Sequence, residues 1–177
     1  MVSWKAGALL LLVLAGLAAY TLLTRPRPAP PRPSFVPCGV TSAVYVKLQG
    51  QGRVLELERA APGDAWRVTQ PAAAAADPER TTTFVNAIDV IRVVNTIPAP
   101  RADAGYGLDP PREVLTCRVK DGSSYTLSIG SPSFDGSGYY ARKGGDSRLY
   151  VISSIEVEQF DRALAEPPVK ASPSPVK

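Results

Sequence analysis

The sequence predicts an α+β domain behind an N-terminal transmembrane helix and a Pro-rich linker. The domain itself reads as two strand-rich halves, each followed by one helix. Three observations predict this. Residues 6–24 form an uncharged, mostly apolar run of nineteen. Many of the eighteen prolines crowd 26–37 and 167–175, which leaves residues 38–166 as the folded part. Within that part, hydrophobic alternation of period two twice gives way to the spacing of a helix.

Behind a short flank, residues 1–5, the apolar run would span about 28 Å as a helix, close to the roughly 30 Å hydrocarbon core of a bilayer. Trp4 and Tyr20 stand near its ends, where amphipathic rings favour the interface. Two readings compete: an uncleaved anchor, and the core of a cleavable signal peptide. The run is long for a signal peptide, and the nearest small-residue site, at Ala18-Ala19, falls inside it, so the anchor is preferred. Lys5 lies on one side and Arg25, Arg27 and Arg32 on the other. A strict positive-inside count puts the domain in the cytoplasm, whereas a short flank before one span is also the layout of a signal anchor that exports its C-terminal domain. Residues 25–37 read as a spacer, because near-alternating Pro favours polyproline II and a reach of up to about 40 Å. A disordered tether and a Pro-rich ligand for an aromatic groove are the alternatives.

The first half opens with a half-buried strand over 40–49, in which Val44, Val46 and Leu48 alternate with Tyr45 and Lys47. Gly50-Gln51-Gly52 turns it into a partner strand carrying Val54, Leu55 and Leu57. Pro62-Gly63-Asp64 turns the chain again, and Trp66 to Thr69 form a third strand closed by Pro71. The alanines of 72–76 read as a low-complexity lead-in. Asp77 is a good N-cap, Pro78 suits the first helical position and Glu79 the positive end of the helix dipole. Phe84, Ile88, Ile91 and Val94 then recur at helical spacing, widened by Val85, until Asn95 and Pro98 stop the helix.

Tyr106-Gly107-Leu108-Asp109-Pro110-Pro111 cannot continue a helix and reads as a rigid turn between the halves. Residues 113–120 alternate Leu115, Cys117 and Val119 against Val114, Thr116 and Arg118. Asp121-Gly122 is a strong hairpin signal, and Tyr125, Leu127 and Ile129 follow on the return strand. Residues 130–138 form a loop rich in Gly and Ser. Residues 139–142 and 149–152 make another hairpin. Ser153 and Glu156 have the spacing of a capping box for a final helix whose buried stripe is Val157, Phe160 and Leu164. Pro167 ends it, and residues 167–177 are a polar, unfolded tail.

Composition removes several functions. Of the twenty Lys and Arg, six lie outside residues 38–166; the other fourteen face all sixteen Asp and Glu, so the domain sits at −2. No basic stripe follows a phosphate backbone, and nucleic acid is not an expected partner. With no histidine, the usual general base and metal ligand are missing. Two cysteines with no CxxC pair make no Cys-rich zinc site. The 130–138 loop lacks the following GK[ST] of a P-loop, and Asp135 lacks the companion acids of a calcium loop. Asp103, Asp109 and Asp121 fall in separate turns, where Asp serves local hydrogen bonding. No GxSxG elbow occurs. Accordingly, neither enzyme activity nor a cofactor is expected.

Two candidates remain. Cys38 and Cys117 would form a disulfide if the domain enters an oxidising compartment; otherwise they are separate thiols, Cys117 packed as a small core residue. Tyr140 and Arg142 share one side of a strand, opposite Tyr139 and Ala141, and make a candidate recognition patch for sugar or protein.

An apolar anchor, Trp66-Arg67-Val68-Thr69-Gln70-Pro71, a helix, Tyr106-Gly107-Leu108-Asp109-Pro110-Pro111, Asp121-Gly122, Ile129-Gly130 and Tyr139-Tyr140-Ala141-Arg142 follow one another in this order. Over about residues 40–165 that order resembles the domain-of-unknown-function family 4340. The resemblance implies a bacterial protein anchored in the plasma (inner) membrane with an exported domain, in a family some of whose members neighbour gliding-motility-type ABC transport systems. It supplies no catalytic residues. Many relatives hold more than one copy of the domain, whereas this chain holds one. The expected function is therefore that of a single-pass, non-enzymatic accessory or scaffold protein. It would sit in the bilayer through residues 6–24 and present its domain to other membrane or envelope proteins. The alternative is an exported binding module for a glycan, lipid or other small ligand.

Overall fold

The computed structural model describes residues 34–98 and 103–171, together with 4, 7, 8, 13–17 and 20. The chain divides into two compact units, residues 1–32 and 33–177. In the first, the described residues are helical. Among the described residues no helix is long and apolar enough to cross a membrane, and most of the predicted anchor, 6–24, and of the linker, 25–37, lies outside them.

The described residues of the second unit form one nine-stranded sheet, so the α+β class holds. The strands are β1 (Ala43–Gly50), β2 (Arg53–Glu58), β3 (Arg67–Gln70), β4 (Ala74–Ala75), β5 (Val93–Ile97), β6 (Glu113–Val119), β7 (Ser124–Pro132), β8 (Gly138–Lys143) and β9 (Leu149–Ser153). Their order across the sheet is β4-β3-β2-β1-β6-β7-β8-β9-β5, and every pairing is antiparallel. The two halves therefore join through β1 and β6 at the middle of the sheet.

Parity decides which face is covered. Val46, Leu48, Leu55, Leu57, Leu115, Cys117, Leu127 and Ile129 point to one face and are buried. Over that face lie two helices, α1 (Pro78–Asp89) and α2 (Ser154–Ala165), which bring Phe84, Val85, Ile88, Val157, Phe160 and Leu164 into the same core. Phe84 and Phe160 meet edge to face at 6.0 Å. The other face carries Tyr45, Lys47, Thr116, Thr126, Ser128, Tyr140 and Arg142, all half-buried, as befits an antiparallel sheet wet on one side.

Turn chemistry sets the registers. Gln51 and Gly52, with φ of 53° and 71°, make the two-residue β1–β2 turn. Gly122, at φ 89°, turns β6 into β7 beside Asp121, whose Oδ1 accepts the Ser123 N–H at 2.8 Å. Asp77 caps α1 by accepting the Arg80 N–H at 2.9 Å. Ser153 caps α2, accepting from Ile155 N. The capping box is not completed, because the Ser153 N–H donates to Arg92 O at 3.0 Å and leaves nothing for Glu156 to accept.

Four expectations are corrected. The first helix stops at Asp89 rather than near Asn95, because Val90, Ile91, Val93 and Val94 are β-branched and favour extended backbone. Those residues lead into the edge strand β5, where Val94 is 46% exposed instead of packed. The alanine lead-in supplies β4, which pairs with β3. The tail does not start free at 167: Pro168 O accepts the Asp77 N–H at 2.8 Å, the Lys170 N–H donates to Ala75 O at 2.9 Å, and Val169 bridges Ala76. Finally, packing begins before Cys38. Val36 is buried, and the Phe35 ring meets that of Tyr150 at 4.7 Å while its carbonyl accepts from Lys143 Nζ at 2.9 Å.

Candidate functional site

Cys38 and Cys117 are disulfide-bonded, their Cα atoms 6.3 Å apart. Both are fully buried. Cys38 stands where the chain joins the domain, and Cys117 lies in β6, one of the two central strands. The bond therefore ties the segment ahead of β1 to the middle of the sheet rather than to an edge.

Tyr140 and Arg142 project from β8 on the uncovered face, with Tyr139 turned toward the core, as strand parity requires. The Tyr140 ring meets the Tyr106 ring edge-on at 4.9 Å. Its hydroxyl accepts the Phe134 N–H at 3.3 Å. Arg142 stands opposite Ser128 of β7. The loop between β7 and β8 is held by hydrogen bonds among its own polar groups, of which Ser133 is buried and Asp135 and Ser137 are exposed. Ser133 Oγ and Ser137 Oγ each donate to Asp135 Oδ1 at 2.7 Å, and the Gly138 N–H donates to Ser133 Oγ at 3.0 Å. Those hydrogen bonds from Ser133 and Ser137 hold the Asp135 carboxyl at about 2. Phe134 is 101% exposed. The braced loop thus shows an aromatic ring to solvent.

The Tyr106–Pro111 turn buttresses this end. A Cβ on Gly130 would strike Tyr106 O, and one on Gly107 would come within 2.7 Å of Ser131 N. The turn and β7 thus touch backbone to backbone, and that contact sets Tyr106 under Tyr140.

At the opposite end of β7 from the β6–β7 turn, where β6 begins, lies a group of charges. Glu113 is buried and neither of its oxygens accepts a hydrogen bond; the nearest cation is Arg112, its Nε 3.4 Å from Oε1. The same Arg112 donates through one Nη to both oxygens of Asp161 on α2, at 2.7 and 2.5 Å, and stacks on the Tyr139 ring at 5.0 Å. Gln51 Nε2 also donates to Asp161. Burial pushes the Glu113 carboxyl up to about 8; the neighbouring Asp161 adds to the rise, and Arg112 and Gln51 oppose it. Gly50 faces Glu113 across β1–β6, and a Cβ there would run into Arg112 O at 2.9 Å as well as the Glu113 side chain.

The family description "Domain of unknown function (DUF4340)" matches residues 66–167, more than half of the chain. The chain belongs to the DUF4340 family. No curated protein and no solved structure matches it. The DUF4340 match runs from Trp66 to the end of α2 and includes Tyr140, Arg142, Glu113 and Asp161, but leaves out β1, β2 and Cys38. The disulfide thus joins a matched strand to an unmatched segment.

Other sequence candidates are not brought together. Asp109 and Asp121 lie at opposite ends of β6, and Asp103 opens a 3-10 turn, Asp103–Tyr106. Phe134 escapes sequence reasoning because a lone aromatic in a Gly- and Ser-rich loop carries no pattern. Glu113 does leave a signal. It has the parity of Leu115, Cys117 and Val119, so extending the alternation by one position places a carboxyl in the core.

Proposed function

We propose that this chain is a single-pass, non-catalytic accessory protein of the bacterial inner membrane. Its domain stands on the exported side and docks to an envelope complex of transport or motility type. The observation that carries this reading is the buried Cys38–Cys117 disulfide. Structural disulfides persist in oxidising compartments, which favours export, and this one anchors the linker side of the domain to a central strand. A module held that way stays folded when its tether is pulled, as a scaffold's must. Phe134, Tyr140 and Tyr106 supply the docking end, with Arg142 beside them.

The test is a topology reporter fused after Lys177, active only outside the cytoplasm, combined with thiol alkylation of the full chain in cells. Reporter activity and thiols that resist alkylation until reduced are expected. An inactive reporter with freely alkylated thiols refutes export. A glycan-binding module is the second reading, favoured by the exposed Phe134 ring as a stacking platform. Thermal shift with cell-wall fragments separates the two, since only a glycan site responds.

A further inference from the structure

We propose that Glu113 and Asp161 share a proton that latches helix α2 onto the β1–β2 turn, so that the docking of α2, and of the tail it carries, is governed by pH.

Among the described residues, the geometry leaves one cation for two carboxyl groups. Arg112 is committed to Asp161, to which it donates at 2.5 and 2.7 Å, and its Nε stands 3.4 Å from a Glu113 oxygen that accepts no hydrogen bond. Ionised, Glu113 would be a buried anion beside another anion, opposed only by Arg112, which is already bonded to Asp161, and by the neutral Gln51 amide. Protonated, it has a hydroxyl to give to Asp161. The group then holds one positive and one negative charge and satisfies the buried acid. Among the described residues, the charged groups that act on Glu113 are Arg112 at the start of its own strand and Asp161 from α2; the Tyr139 ring of β8 lies against Arg112. The β1–β2 turn adds only the neutral Gln51 amide, which donates to Asp161.

The surroundings are shaped for this pair. Only a glycine at position 50 leaves room for the Glu113 side chain, and Gln51 reaches Asp161 from a residue with φ of 53°, a region a non-glycine residue enters at a cost. These contacts join three separate pieces, the β1–β2 turn, the start of β6 and the second half of α2. The tail that continues from α2 carries Pro168 and Lys170 back to Asp77 and Ala75, so loosening α2 also loosens the cap of α1 and strand β4.

The sign comes from linkage. With α2 docked, Glu113 keeps its proton up to about 8; with α2 lifted and the carboxyl in water, it gives the proton up near the ordinary 4.5. Docking therefore takes up a proton between those limits. The latch is tight in acid, weakens as pH rises through the window, and is flat beyond either end.

The test is hydrogen exchange of α2 amides in the full chain, held in detergent or nanodiscs, across pH 5 to 9 and corrected for intrinsic exchange. In the wild type the protection of α2 should fall by up to about tenfold per pH unit inside the window. Glu113→Gln, which stays neutral at every pH, should abolish that slope. An equal slope in both proteins, or none in the wild type, overturns the proposal. Carbon-13 NMR of the Glu113 carboxyl in the wild-type chain decides independently of whether the variant folds: titration near 8 supports the latch, and titration near 4.5 overturns it.

Discussion

Replacing Cys38 and Cys117 together by Ala removes the one covalent link across the sheet among the described residues, and its effect can be worked out. The bonded residues are 79 apart in sequence, and closing a loop of that length restricts the unfolded chain by about 4.5 kcal/mol. For a domain of this size that is a fall in melting temperature of roughly 15 °C. Both sulfurs are fully buried, so the alanines also leave small voids and the loss should not be less. The natural probe is Trp66, which is buried with the Arg59 guanidinium stacked 4.4 Å from its ring centre. Urea unfolding of the full chain followed by its fluorescence gives the difference directly. Reductant should lower wild-type stability toward that of the variant and leave the variant unchanged. Fraying should begin at Phe35–Cys38, which without the bond is held by the Val36 side chain, the Phe35–Tyr150 ring contact and the Lys143 hydrogen bond. A variant within about 1 kcal/mol of the non-reduced wild type would refute the reasoning, since loop closure alone exceeds that several-fold.

Three further substitutions probe other links. Phe134→Ala removes a ring that packs on nothing, so stability should hold within about 0.5 kcal/mol while crosslinking to envelope proteins in cells is lost; a large stability change would show that the ring packs after all. Gly130→Ala drives a Cβ into the Tyr106 carbonyl, and should cost at least about 2 kcal/mol in denaturant melts and shift the aromatic near-ultraviolet circular dichroism of Tyr106 and Tyr140. Asp77→Ala removes the α1 cap and should cost about 1 kcal/mol, read as the difference in urea midpoint at unchanged slope.

The features legible in the sequence are those that depend on neighbours along the chain. The β1–β2 and β6–β7 hairpins, both helix starts and the inward parity of Cys117 all rest on residues within a few positions of one another. The split of Tyr139 from Tyr140 is legible for the same reason. The misses depend on partners far away. Glu113 and Asp161 lie 48 positions apart in the numbering and meet only because α2 folds back across the sheet onto the β1–β2 turn. Phe134 stands out only once Ser133, Asp135 and Ser137 are seen bonded to one another while its ring is left in solvent.

The same distinction explains how the two halves interlock. Each half is strands followed by a helix, yet each half extends the other's edge. After α1, the first half sends β5 to pair with β9 of the second. After α2, the second half sends Val169 to bridge Ala76 beside β4 of the first. Either half alone would lose part of a shared core in which Phe84 of α1 meets Phe160 of α2. Local periodicity cannot report such an exchange, because β5 is a five-residue strand and Val169 a single bridge. The exchange makes the sheet one cooperative unit. It also places Asp161 just before the segment that returns to the first half, so that loosening α2 reaches the cap of α1 and strand β4.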